Sequence, residues 1–190
     1  MLSVRSRQKY LKYIGLYDGK IDGKDGPKTK AGVLALQKMY FPKKHQDGKY
    51  GKNTDILLVN ALRVKKYAKN FKLEEFKCGC GGKYCTGYPE KLNIQLLKNL
   101  QAARTKYGAT IVTSGLRCKK YNNSIVGSSK TSKHMDGKAL DVAILPKTNS
   151  EKGRKELMNF FKKQPKHNYT YCNIGGNYPN MGNAVHFDVK

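Results

Sequence analysis

The residues of this chain best suited to chemistry lie in the stretch Ser132-Lys133-His134-Met135-Asp136-Gly137-Lys138-Ala139-Leu140-Asp141. It supplies an imidazole at His134 and a carboxylate at Asp141, with Gly137 between them to let the backbone turn tightly. Asp141 falls in a short run, Ala139 to Ile144, that reads as a strand. Leu140, Val142 and Ile144 share one face, and Ala139, Asp141 and Ala143 share the other. An acid flanked on its own face only by alanines is an odd structural choice. The chain closes on a second alternating run, Ala184 to Val189, in which Val185, Phe187 and Val189 point one way and His186 and Asp188 the other. Two imidazoles and a carboxylate on two strands form the donor set of a catalytic zinc that keeps one position for water.

Totals limit what surrounds this set. A chain of 190 residues fits one large domain or two small ones. No run approaches the roughly eighteen apolar residues that a membrane-spanning helix needs. Met1 to Tyr17 has basic residues but no continuous apolar segment, so no secretory signal is expected. The charge is extreme. The first 70 residues carry 17 Lys and Arg against 5 Asp and Glu and the remainder 21 against 8, for a formal net charge of +25. An excess spread over the whole chain draws in polyanions. Nucleic acid is one such partner; bacterial wall, with its teichoic acids and peptide carboxylates, is another. No aromatic-basic signature of specific nucleic-acid recognition is present. No hydrophobic seam asks for a dimer, so a monomer is expected.

The first 65 residues contain a weak repeat. Asp22-Gly23-Lys24-Asp25-Gly26-Pro27-Lys28-Thr29 recurs as Asp47-Gly48-Lys49-Tyr50-Gly51-Lys52-Asn53-Thr54. Each copy reads as an Asp-Gly turn, a second glycine, and a Thr just ahead of a helix. Val33, Leu34 and Gln37 follow the first copy. Ile56, Leu57, Asn60, Ala61 and Val64 follow the second as a helical stripe. With an earlier helix through Val4, Leu11 and Ile14 ending at Gly15, the spacing predicts a three-helix bundle over residues 1–66. Its one histidine, His45, reads as a loop residue. The run Leu11 to Gln37 resembles the peptidoglycan-binding domain found on many wall hydrolases, and the second repeat fits that pattern too. The resemblance implies a wall-binding role for Tyr17, Asp22, Gly23 and Gly26.

Residues 67–72 read as a basic linker, and 73–190 as a second domain. Within it, Leu92, Leu96, Leu100, Ala103 and Tyr107 predict a helix beginning near Pro89 and stopped by Gly108. A β-branched strand over 109–114 follows, then a polar loop from Tyr121 to Lys133. After the Asp141 strand come a basic helix over 151–163 and a loop or strand over 169–182. The expected fold is a small all-α bundle followed by an α+β domain with a central antiparallel sheet.

The second domain resembles the zinc D-Ala-D-Ala carboxypeptidases and L-Ala-D-Glu endopeptidases, a VanX/VanY-like group that includes many phage endolysins. Ser132, His134, Gly137, Ala139 and Asp141 match its Ser-X-His-X-X-Gly-X-Ala-X-Asp signature. Ser114, Gly115 and Arg117 match its Ser-Gly-X-Arg, and His186 with Asp188 its late His-X-acid. The resemblance implies zinc on His134, Asp141 and His186, with Ser132 and Arg117 holding substrate or the developing oxyanion. Many members carry an acid three residues before the last histidine. This chain has Asn183 there, which leaves Asp188 as the substitute general base or, alternatively, as support for a ligand.

Cys78, Cys80 and Cys85, with Cys118 just after Arg117, form a candidate structural thiolate zinc site. Their spacing is not a standard Cys-x2-Cys pair, and disulfides or free thiols are the alternatives. Cys172 has no evident partner. The leading expectation is a phage endolysin made in a host cytoplasm and released to the wall by a holin. A host D-Ala-D-Ala carboxypeptidase, or an inactive wall-binding or phage structural protein, are the alternatives.

Overall fold

A computed structural model describes residues 1–190. The N-terminal part is helical: α1 (Val4–Tyr13), α2 (Pro27–Tyr40) and α3 (Lys52–Tyr67). Ser3 caps α1 by accepting from the Ser6 amide, and Gly15, at φ 87°, ends it. Gly26 and Gly51 are the N-caps of α2 and α3, so the repeat threonines lie inside the first turn, not ahead of it. The reason is a duplicated hydrogen-bond network. Gln8 Nε2 donates to Asp22 Oδ1, to the Lys24 carbonyl and to Thr29 Oγ1, while its Oε1 accepts from the Gly23 amide. Gln37 repeats this on Asp47, Lys49, Thr54 and Gly48. A buried glutamine on one helix thus organises the turn that launches the next. The threonine must sit within the helix to reach it.

Residues 67–72 are no loose tether. Helix α3 runs to Tyr67, and Ala68 and Phe71 are buried. Polar contacts fasten α3 to the segment beyond. Asp55 pairs with Lys91 at 2.9 Å. Asn60 donates to the Glu90 carbonyl and accepts from the Leu92 amide, and Arg63 donates to the Leu92 carbonyl. One buried cluster runs without a break from Leu11 to Val189.

The C-terminal part is α+β. Helix α4 (Ile94–Tyr107) is capped by Asn93, so Leu92 precedes the helix, and Gly108 stops it at φ 83°. Strands β1 (Ile111–Ser114), β2 (Ala139–Ala143), β3 (His167–Cys172) and β4 (Val185–Val189) form one antiparallel sheet in the order β1-β2-β4-β3. Helix α5 (Lys119–Ser124) occupies the start of the expected polar loop. Helix α6 (Glu151–Lys162), capped by Ser150, contributes Leu157 and Phe161 to the core, where the Phe161 ring stacks on Phe187 at 3.8 Å. The predicted alternation holds: Leu140, Val142, Val185, Phe187 and Val189 belong to the core, and Asp141, His186 and Asp188 occupy the other face.

Register decides what meets on that other face. Asp141 lies opposite His186, and His186 opposite Tyr171. An irregularity between Val112 and Ser114 brings Ser114, in place of Thr113, opposite Asp141. Ser114, Asp141, His186 and Tyr171 therefore make one row across all four strands.

Candidate metal centre

His134 arrives from a loop that Gly137 makes feasible. At φ 65°, Gly137 approaches so closely that a Cβ there would lie 2.3 Å from the Lys91 carbonyl oxygen. The Asn93 amide also donates to the Gly137 carbonyl. This turn delivers His134 to the sheet, fully buried. Its Nδ1 donates to the Gly115 carbonyl at 2.7 Å, which fixes the tautomer and leaves the Nε2 lone pair free. That Nε2 is buried without a hydrogen bond, 3.3 Å from Asp141 Oδ1.

The same Asp141 oxygen lies 2.7 Å from His186 Nδ1. The donor atoms of His134, Asp141 and His186 are all within 4.8 Å of one another. A tetrahedral zinc with ligands about 2.0–2.1 Å away spaces its donors roughly 3.3–3.4 Å apart. The trio fits that cradle, and a buried ring nitrogen with no hydrogen-bond partner has the lone pair a metal ligand needs.

Asp141 divides its oxygens. Oδ1 faces both histidines, and Oδ2 accepts from Arg117 Nη2 at 2.9 Å. Burial opposes its charge, but the imidazoles of His134 and His186 packed beside it outweigh burial and hold its carboxyl well below the usual range. Burial likewise works against a charged His186, and the bonds to Asp141 and Asp188 overcome it, raising its pKa.

Arg117 lines the cleft, and its guanidinium is fixed from one side. Nε and Nη2 donate to Ser114 Oγ at 3.2 and 3.0 Å, and Nη2 also reaches Asp141. Nη1 makes no hydrogen bond within the protein, so two donors remain for a ligand. The cleft holds about 680 Å³ and is lined by Ser114, Arg117, Asp141, Tyr171, Tyr178 and Asn183, among others.

The other sequence candidates separate. Asp188 touches the far side of His186: Oδ2 lies 3.2 Å from Nε2, and Oδ1 accepts from Asn168 Nδ2 and the Tyr169 amide. It is buried, does not line the cleft, and has both oxygens in use, a poor position for a general base. Ser132 sits in the turn entering His134. Its hydroxyl makes no hydrogen bond and does not line the cleft. Asn183 lies at the cleft and donates to Asn149 Oδ1. Asp22 and Gly23 are engaged inside the helical part, and Gly26 caps α2. The Tyr17 hydroxyl donates to the Lys20 carbonyl, and its ring borders a shallow groove with Asp18 and Lys28. Cys78, Cys80, Cys85 and Cys118 do come together, apart from the histidines. Cys172 is buried near Met158.

Sequence reasoning missed Tyr171, whose ring stacks on His186 at 4.6 Å and whose hydroxyl burial pushes up to about 12. It also missed Tyr178, at 4.7 Å from Tyr171. Neither falls in a legible pattern, because residues 169–182 read only as loop or strand with no assigned face, and Tyr178 lies in the loop beyond β3. Gln8 and Gln37 could have been found by asking what residue recurs a helix upstream of each Asp-Gly turn.

A family profile described as Peptidase M15 matches residues 69–186, more than half of the chain and the whole of this centre. The chain belongs to the peptidase M15 family. A second profile, for a peptidoglycan binding domain, matches residues 2–55 of this M15 peptidase. A search of curated proteins returns no significant match. Peptidase chemistry directed at peptidoglycan follows from the two matches together. No helix of the M15 peptidase is long and apolar enough to cross a membrane.

Proposed function

We propose that the protein is a zinc-dependent peptidoglycan hydrolase of the endolysin kind. Residues 1–66 would anchor it on the wall, 67–72 would form a packed joint, and 73–190 would cut a stem or cross-link peptide. The observation that carries the reading is the convergence of His134 Nε2, His186 Nδ1 and Asp141 Oδ1 beside the unpartnered Nη1 of Arg117.

Zinc held by His134, Asp141 and His186 would supply Lewis acidity, making water a usable nucleophile near neutral pH and polarising the scissile carbonyl. The chain's own residues do the rest. Gly115 and Asp188 orient the two imidazoles through their outer nitrogens. Asp141 Oδ2 and Ser114 hold the Arg117 guanidinium in place before substrate arrives. Nη1 then meets the carbonyl oxygen as its negative charge develops, and no reorganisation is needed. Tyr171 shields His186 from water on the β3 side. The cleft volume suits a short peptide. The net charge of +25 favours residence on an anionic wall, teichoic acids included. Holin-type release from a host cytoplasm would bring the enzyme there, working as a monomer.

A second reading, a wall-binding protein with a dead site, rests on Asn183, a neutral residue at the cleft. Incubation with purified sacculi separates the two. Fragments and new amino ends read by mass spectrometry, lost with chelator and restored by zinc, support the peptidase and name the bond. Tight binding with zinc present and no new ends supports the second reading.

A further inference from the structure

We propose that Cys78, Cys80, Cys85 and Cys118 hold a structural zinc ion as a tetrathiolate site, separate from the His134–Asp141–His186 centre. All four Sγ atoms lie within 4.8 Å of one another, and those of Cys80 and Cys85 are 3.5 Å apart. A tetrahedral zinc with sulfur ligands at about 2.3 Å spaces them roughly 3.8 Å apart. Disulfides require closeness only within each of two pairs, at about 2.0 Å. Mutual closeness of all four is what a central ion requires.

The loop is built to this end. Gly81, Gly82 and Gly87, at φ 61°, 88° and 101°, curl the chain so that three cysteines within eight residues converge. The Cys78 amide donates to the Gly87 carbonyl, and the Lys83 amide to that of Cys80, closing the curl. Two more amides point at sulfur: Gly87 N at Cys85 Sγ and Cys118 N at Cys78 Sγ, each at 3.3 Å. Such donors stabilise thiolate charge. Four thiolates and one zinc leave two negative charges, which Lys77, Lys83, Lys119 and Lys120 flank in sequence.

The site supplies what the loop lacks. From Lys77 to Asn93 the chain has no helix or strand, yet it sits between both parts of the molecule. Gly82 packs so closely on Pro42 of the helical part that a Cβ would lie 2.7 Å from its ring, and Gly79 similarly meets Tyr121. Cys118 follows Arg117 directly, and Leu116 donates its amide to the Phe76 carbonyl. A metal here would clamp the loop to the segment that carries the catalytic guanidinium, the role a staple plays where little core exists.

The test uses the full chain carrying His134→Ala and His186→Ala, which removes the other centre and leaves every cysteine in place. The protein is prepared under reducing conditions, stripped with chelator and titrated with cobalt(II), then zinc. The expected result is one equivalent of cobalt, sulfur-to-cobalt charge-transfer absorption with intense tetrahedral d–d bands, displacement by zinc, and a melting temperature that falls on stripping. No retained metal, a cobalt spectrum without thiolate bands, or two disulfides by mass spectrometry would overturn the proposal. In the same His134→Ala/His186→Ala background, adding Cys80→Ser and Cys85→Ser should lower bound zinc from one equivalent to none; one equivalent in both would also overturn it. Because these readouts need neither the histidines nor activity, they fail or succeed independently of the peptidase reading.

Discussion

Replacing Asp188 with Asn separates two roles that the sequence leaves open. In the structure Asp188 Oδ2 faces His186 Nε2 at 3.2 Å, on the side of the ring away from Asp141. Its other oxygen is occupied by Asn168 and the Tyr169 amide, two donors that an Asn carbonyl can still satisfy. The fold should therefore survive. What is lost is the carboxylate that makes His186 a stronger base toward a metal on Nδ1. Removing such outer partners costs about 10- to 100-fold in metal affinity, or roughly 1.4–2.7 kcal/mol. Asp188→Asn should therefore raise the zinc dissociation constant by that factor while kcat at saturating zinc stays within a few-fold of the unmodified enzyme. Competition with a chromophoric chelator measures the first quantity, and peptide release from sacculi the second. If Asp188 were instead the general base, kcat at saturating zinc would fall by about 10²–10⁴ with affinity unchanged. That pattern would refute the positioning role.

Further outcomes follow from the same geometry. Arg117→Ala should lower kcat/KM by about 10²–10³, and Arg117→Lys should recover little, because an ammonium cannot hold Ser114 and Asp141 while offering a free Nη1; unchanged kcat/KM in either variant would contradict this. Gln37→Ala leaves the Gly48 amide, Asp47 and Thr54 short of a partner and should cost about 2–3 kcal/mol in denaturant unfolding, with Gln8→Ala similar; losses under about 0.5 kcal/mol would deny the network its role. Gly137→Ala sets a Cβ against the Lys91 carbonyl at a positive φ, so the melting temperature should fall and zinc affinity with it, both read in one thermal titration. Burial opposes the charge of Asp55, but bonds from the Leu2 amide, Lys91 and Tyr50 outweigh it and lower its pKa. Its stabilisation is present above the unfolded value of about 4 and is lost as pH falls through the folded value. Asp55→Asn should flatten that acid limb, and an unchanged limb would count against the Asp55–Lys91 fastening.

Much of the site was legible because it depends on alternation and spacing. The strand faces that carry Asp141, His186 and Asp188 follow from a period of two, and the helix stripes through Leu96 or Ile56 from a period of 3.6. The row Ser114–Asp141–His186–Tyr171 was not legible. It depends on register, and a single irregularity in β1 chooses Ser114 over Thr113. Nor could spacing tell which side of the His186 ring Asp188 would take, since residues two apart on a strand share a face but not an orientation. The joint at 67–72 misled for a related reason. Its lysines suggest solvent, while Ala68 and Phe71 between them fill the core. The repeat at Asp22 and Asp47 was visible, but its meaning needed the glutamine a helix upstream.

The most direct measurement of the central claim follows new amino ends released from sacculi by metal-stripped protein as zinc is added back, for the unmodified chain and for His134→Ala. The account predicts no release by the stripped chain, full release on zinc addition, and none from His134→Ala at any zinc concentration. Equal release by the stripped chain, or zinc-stimulated release by His134→Ala matching the unmodified protein, would contradict it.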